Sequence, residues 1–320
     1  MKRVLITFLF VLSALPLIGQ ETLPIYSDYL SDNVFLIHPS AAGIGNCGKL
    51  RITGRKQWQG VKDAPELQTL SFHNKIGEKA ALGLVVFNDK NGYHSQKGVQ
   101  ASYAYHLNMG SGRVFEQLSF GLSATLVQNQ SDQRTFFGDR AVQQLIESTS
   151  YFNADFSVAY HKAGFSSYFT VKNLLLSAKN NLNNSLEPLD LRNYILSAGY
   201  YFETRNKINF EPSFMVQFRE GTGEAIADFN IKAYKNVKKA QLWAALSYRR
   251  SFDSGAIENL QYVTPIVGVN FNQMMISYTY TKQLGKIIFA DTGFHQVSLG
   301  INLFCRTQRA SACPNINASF

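Results

Sequence analysis

From about residue 50 to residue 304 the chain is a succession of short segments in which every second residue is apolar. Val297, Leu299, Ile301 and Leu303 alternate with Ser298, Gly300 and Asn302. Phe210, Phe214, Val216 and Phe218 alternate with Glu211, Ser213, Gln217 and Arg219. Successive side chains of a strand point to opposite faces, so each segment has one apolar and one polar face. The pattern predicts strands at 50–58, 66–74, 79–88, 97–107, 115–128, 151–162, 164–172, 191–203, 207–219, 224–235, 239–251, 261–271, 273–282 and 294–304. Most of them have the roughly 9–11 residues that a tilted membrane strand needs.

Alternation also occurs in soluble sandwiches, so the connections matter. If the N-terminus lies on the periplasmic side, the outward connections fall near 59–65, 89–96, 129–150, 173–190, 220–223, 252–260 and 283–293. The inward ones fall near 75–78, 108–114, 163, 204–206, 236–238 and 272. One set is mostly long and the other mostly short, with 220–223 as the exception. Outer-membrane barrels sort their loops this way, and a sandwich has no reason to. The expected fold is therefore an all-β, transmembrane antiparallel barrel of about fourteen strands.

An export segment supports the location. Lys2 and Arg3 precede an apolar stretch from Val4 to Leu12, and Leu17-Ile18-Gly19 reads as a cleavage site before Gln20. The apolar run is about 15 residues, short of the about 20 that a spanning helix needs. Four regions follow: signal peptide 1–19, plug or periplasmic segment 20–49, barrel 50–304 and periplasmic tail 305–320. Residues 20–49 read as irregular, with a helical turn at Asp28–Phe35. Aromatics make up 13% of the chain, mostly Phe and Tyr, as interfacial girdles require. The net charge of +9 becomes +7 once Lys2 and Arg3 are removed. The basic residues are spread through strands and turns with no nucleic-acid motif, so the expected contact is outer-membrane lipid and not nucleic acid.

Candidate chemistry is sparse, and the reading is of no enzyme, no metal and no cofactor. Gly43, Gly45 and Gly48 satisfy GxGxxG, but a strand follows them where a dinucleotide site needs a helix. The six histidines are scattered without metal-ligand spacing, and no nucleophile motif accompanies them. An even strand count gathers Cys47, Cys305 and Cys313 at one rim, so Cys47 is expected to pair with Cys305 or with Cys313. The basic turn Lys235 to Lys239 reads as solvated lysines near headgroups.

Several blocks carry a family resemblance. Tyr26-Ser27-Asp28-Tyr29-Leu30 through His38-Pro39-Ser40-Ala41-Ala42-Gly43 is one. Arg55 to Gly60 with Trp58, then Ala64-Pro65 and Gln68-Thr69, is another, and Gly293-Phe294-His295-Gln296-Val297-Ser298-Leu299 closes the set. Together they resemble the PorP/SprF family, outer-membrane proteins of the type IX secretion system of Bacteroidota. The usual closing block has a glutamate after its histidine, and Gln296 in that place is closer to the SprF branch, which serves gliding motility. The resemblance implies a non-enzymatic component that supports export and surface anchoring of a large, SprB-like adhesin through its type-B C-terminal domain. It implies type IX translocon components as further partners. It makes loops 129–150 and 173–190 the adhesin-facing surface, with 20–49 facing the lumen. Tyr26, Tyr29, Pro39, Gly43, Trp58, Pro65 and His295 would then hold the N-terminal segment and the barrel seam. The competing expectation is a porin or hydrophobic-solute transporter.

Overall fold

A computed structural model describes residues 30, 33–57, 63–109, 115–132, 134, 146–175, 192–204, 208–220, 223–252, 260–284 and 293–306. These residues form fourteen strands: β1 Gly48–Gln57, β2 Glu66–Lys75, β3 Ala80–Asn91, β4 His94–Asn108, β5 Glu116–Asp132, β6 Ile146–Lys162 and β7 Phe165–Lys172 in the first half. The second half has β8 Asn193–Tyr200, β9 Ile208–Arg219, β10 Ala225–Val237, β11 Ala240–Ser251, β12 Gln261–Phe271, β13 Met274–Leu284 and β14 Phe294–Leu303. Each strand pairs antiparallel with its sequence neighbour, and β1 pairs with β14 to close a barrel. The seam runs without interruption from Gly48 opposite Leu303 to Gln57 opposite Phe294. Closure gives every strand two neighbours, the condition for placing a sheet in hydrocarbon, and β6 runs on from Asp155 to Ile146 beyond the end of its ladder with β7.

The faces are inverted relative to a soluble protein. Leu122, Leu126, Phe229 and Val267 point outward and are 57%, 63%, 57% and 55% exposed, whereas inward-pointing Ser119, Ser157 and Thr170 are fully buried. Only a lipid solvent rewards a continuous apolar exterior around a polar interior. The barrel is an outer-membrane barrel. Its lumen wall satisfies its own charges: Arg249 donates to both oxygens of Asp228, at 2.6 and 2.7 Å. Asp155 accepts from Gln100 and Ser123 on the wall, both at 2.9 Å.

Strand positions agree with the periodic pattern to within a few residues, except at the outer ends of β3 to β6. The expected connection 89–96 is in fact a tight turn at Gly92 and Tyr93, with Asn91 opposite His94. Gly92 takes φ +59, which a two-residue hairpin demands. The expected loop 129–150 shortens to 133–145, because β5 continues to Asp132 and β6 begins at Ile146. Above the lipid both faces of a strand are wet, so Gln128, Asn129, Gln130 and Ser131 pair in the sheet without apolar alternation. The sorting of long and short connections thus has exceptions at 92–93 and 220–224. On the opposite rim, tight turns stand at 163–164, 238–239 and 272–273, where Ala163, Lys238 and Asn272 take left-handed φ values.

Both ends of the barrel sequence meet at that second rim. Cys47 and Cys305 form a disulfide with Cα atoms 4.0 Å apart, just outside the first and last strands. The Arg306 guanidinium donates to the carbonyls of Gly77 and Lys75, at 3.0 and 3.1 Å. Short turns mark this rim as periplasmic.

Two outcomes test this architecture. Leu122→Arg, at the middle of the apolar face of β5, is expected to destabilise the barrel in bilayers by about 2–4 kcal/mol, measured by reversible denaturant unfolding from vesicles. On non-reducing gels of the heat-denatured protein, reductant is expected to slow migration. Cys47→Ser and Cys305→Ser should each abolish that change, and Cys313→Ser should leave it intact.

Candidate functional site: an N-terminal segment docked in the lumen

Residues 33–44 lie inside the barrel as two single 3₁₀ turns, Val34–Leu36 and Pro39–Ala41. His38 precedes a proline and is extended, with φ −113 and ψ 101, which separates the two turns. Pro39 opens the second turn, where its fixed φ suits a helical start and its missing N–H costs nothing. Gly43, at φ +70, then swings the chain toward β1. A side chain there would collide with Ala81 of β3.

The wall is shaped to receive this segment. Phe35, Leu36, Ala41, Ala42 and Ile44 pack in one buried cluster with Ala81, Val85, Ala104, Ala159 and Tyr168. Glycines bring the backbones close. A Cβ at Gly83 would overlap the Phe35 ring, and one at Gly121 would overlap the Pro39–Ser40 peptide. The segment therefore contacts a groove cut by small residues of β3, β4 and β5.

Polar contacts fix its position. The His38 ring lies between two hydroxyls, with Nδ1 2.7 Å from Thr170 Oγ1 and Nε2 2.8 Å from Ser197 Oγ. It stacks on Tyr168 at a centroid distance of 4.8 Å. Tyr168 in turn reaches His161 Nε2 at 2.8 Å. Ser40 and Ser157 hydroxyls are 2.7 Å apart. His106 Nε2 donates to the Ala42 carbonyl at 2.9 Å. The Gly43 N–H donates to His73 Nδ1 at 2.9 Å, so that nitrogen carries no proton. Asn33 donates to Ser71, the Lys172 ammonium to the Leu36 carbonyl, and Lys232 to the Leu30 carbonyl, at 2.9, 3.3 and 3.2 Å. Lys232 also stands 4.0 Å over the Trp243 ring. Complete burial, reinforced by the neighbouring Lys172 charge, holds His38 well below the usual histidine range.

The histidines that look scattered along the chain thus converge: His38, His73, His106 and His161 all face the docked segment or its immediate neighbours. The signal was present at the level of single strands, since His73, His106 and His161 occupy inward positions in the period-two pattern. Their contacts with the segment were not, since His73 and His106 reach partners 30 and 64 residues away in sequence. Among the expected site residues, Pro39 and Gly43 lie in the segment, and Cys47 with Cys305 in the rim below it. Pro65 sits at the far rim, where its carbonyl accepts from Gln57 N–H at 2.9 Å. His295 lies on the lipid side of β14, with Nδ1 2.6 Å from the Tyr278 hydroxyl, and does not touch the segment. Tyr26, Tyr29, Trp58, Cys313, the signal peptide 1–19 and residues 176–190 lie outside the described residues. Among the described residues no three acidic, histidine or cysteine side chains are placed to hold a metal ion.

A family model described as "Type IX secretion system membrane protein PorP/SprF" matches residues 18–301. No curated protein matches the chain. Among solved structures, the chain is similar to the translocator domain of the autotransporter NalP from Neisseria meningitidis, at 10% identity and TM-score 0.40, covering 87% of this chain and 95% of that one. It is similar to the CymD monoaromatic hydrocarbon channel at 9% identity and TM-score 0.45, covering 84% and 91%. BamA from Haemophilus ducreyi gives 8% identity and TM-score 0.42, covering 81% and 70%. These likenesses are distant and bear on the barrel fold alone.

The docked state holds His38 neutral, while a released segment would titrate at the ordinary value of 6.5. The docked state then binds fewer protons, so docking is at full strength above about pH 6.5 and weakens as pH falls below it. The charge that acts on the ring is the Lys172 ammonium, which is itself 3.9 Å from the Asp155 carboxylate. Protection factors at residues 33–44, with the pH dependence of intrinsic amide exchange divided out, are expected to be lower at pH 5 than at pH 8, and His38→Gln should flatten that difference. Equal protection factors at both pH values in the unmodified protein would refute the linkage.

Proposed function

The chain belongs to the PorP/SprF family of type IX secretion system membrane proteins, and from that premise we propose that it supports export and surface anchoring of a large, SprB-like gliding adhesin by binding the adhesin's type-B C-terminal domain. As a member of that family it is an outer-membrane component of type IX secretion. The observation that favours a holding role over a conducting one is the docked segment: residues 33–44 occupy the lumen against strands β2 to β8. A porin keeps its lumen open to water, and here buried hydrogen bonds and a packed apolar cluster stand in that place.

In this reading the barrel is a membrane-held scaffold. The expected adhesin-facing surface is the external end of 129–150 and 173–190, where β5 and β6 already extend past the apolar band to Asp132 and Ile146. Type IX translocon components would engage the periplasmic rim, near the Cys47–Cys305 bridge. Family-motif residues Pro39 and Gly43 act structurally by seating the segment, and the fold of a secretion barrel gives no reaction to assign.

Affinity purification of the tagged protein from native outer membranes, followed by mass spectrometry, is the test. Recovery of a very large protein bound through its C-terminal domain is the expected outcome. Recovery of the barrel alone, together with steady conductance in a planar bilayer, would overturn the anchoring role in favour of a porin or solute transporter.

A further inference from the structure

On the outer surface of β3 to β6, residues in register form two parallel rows. Val86, Val99, Leu126 and Phe152 stand side by side across the four strands. One step further from the periplasm, Asn88, Lys97, Gln128 and Ser150 form the next row on the same face. Between the rows is a hollow of about 780 Å³ lined by these residues. The short Val86 and Val99 leave that space beside the larger Leu126 and Phe152, and all four are solvent-exposed in the isolated protein. The volume falls within the roughly 300–1,000 Å³ of small-molecule sites.

The change from an apolar row to a polar one marks the outer membrane interface on these strands. Lys97 projects from that line, exposed, and among the described residues no side chain pairs with it. Its cross-strand neighbours, Asn88 and Gln128, are neutral amides. The row above holds Lys90, Ser95, Gln130 and Ser148. Neither row contains a carboxylate, and the carboxylates that face Lys90 among the described residues, Asp63 at 3.4 Å and more weakly Asp132, lie outside both rows. An apolar hollow is therefore roofed by an unneutralised cation and a set of amides and hydroxyls.

We propose that this hollow binds a single outer-leaflet lipid whose headgroup carries a phosphate. The acyl chain lies over Val86, Val99, Leu126 and Phe152, and the phosphate accepts hydrogen bonds from the Lys97 ammonium and the Gln128 and Asn88 amides. Charge complementarity selects this occupant over a second barrel. A second copy would bring the same lysine shelf against this one if it used the same face.

The test is native mass spectrometry of the full-length protein, reconstituted in vesicles of phosphatidylglycerol and phosphatidylcholine and released into mild detergent. The unmodified barrel is expected to retain phosphatidylglycerol in preference to phosphatidylcholine. Lys97→Ala should reduce that retention by roughly fivefold, the effect of one lysine at an anionic surface. Lys97→Arg should restore it. Val99→Trp, which fills the hollow, should lower retention of both lipids. Lys282→Ala, on the outward face of β13, should change nothing, and heat-modifiable gel migration checks that each variant is folded. The proposal fails if Lys97→Ala and Val99→Trp retain lipid as the unmodified protein does, or if Lys282→Ala loses as much as Lys97→Ala. It also fails if millimolar inorganic phosphate strips the lipid, or if paired barrels appear in place of lipid adducts.

Discussion

In hydrocarbon no water is available to an unpaired backbone N–H or C=O, and each such group costs several kcal/mol. Everything else in this structure follows from meeting that requirement with strands. The fourteen hairpin-connected strands have to end where they began, and the ten-residue ladder between β1 and β14 is where they do. That ladder joins segments about 250 residues apart in sequence and carries a large chain-closure entropy. The covalent bridge from Cys47 to Cys305 and the Arg306 contacts to Lys75 and Gly77 sit at the end of the same seam. They reinforce closure at the rim, where water competes for the backbone bonds.

Closure with an apolar exterior turns the protein inside out, and the lumen inherits the problem of satisfying polar groups away from water. Part of the solution is local to the wall, as in the Asp228–Arg249 fork and the donors around Asp155. The rest is supplied by the N-terminal segment. Much of what the wall recognises in it is backbone: the Leu30, Leu36 and Ala42 carbonyls and the Gly43 N–H. The side chains that matter are those of Asn33, His38 and Ser40. A segment with no regular structure beyond two 3₁₀ turns can be positioned in this way because the barrel, and not the segment's own helix bonds, holds it.

Period two is a strong signal where one face meets lipid and the other a polar lumen, and on those stretches the strands were legible in the sequence to within a few residues. The signal faded where both faces are wet. This is why β5 and β6 extend past Gln128 and Ser150, and why β3 and β4 meet in the tight turn at Gly92. Strand parity placed three cysteines at one rim but could not choose a partner for Cys47, because a few residues of tail decide it. The histidine cluster was invisible for a different reason. His38 meets Thr170 and Ser197 only after the sheet has closed around it, 132 and 159 residues away. His295 shows the converse limit. Its motif looked like part of one constellation with Pro39 and Gly43, yet its place in β14 points it at lipid, beside Tyr278 and Tyr280.

The same contacts bear on whether the segment can move. Seven hydrogen bonds join residues 33–43 to the wall among the described residues. At about 0.5–1.5 kcal/mol each they amount to roughly 4–10 kcal/mol, before the Phe35–Ile44 cluster is counted. A barrier-free gate needs two states within a few kcal/mol of each other. The docked segment is therefore a fixed part of the barrel at neutral pH. Any partner that displaces it must replace those bonds with its own, and a freely diffusing small solute offers too few donors and acceptors to do so. An extended polypeptide, with one N–H and one C=O at nearly every residue, has the right complement.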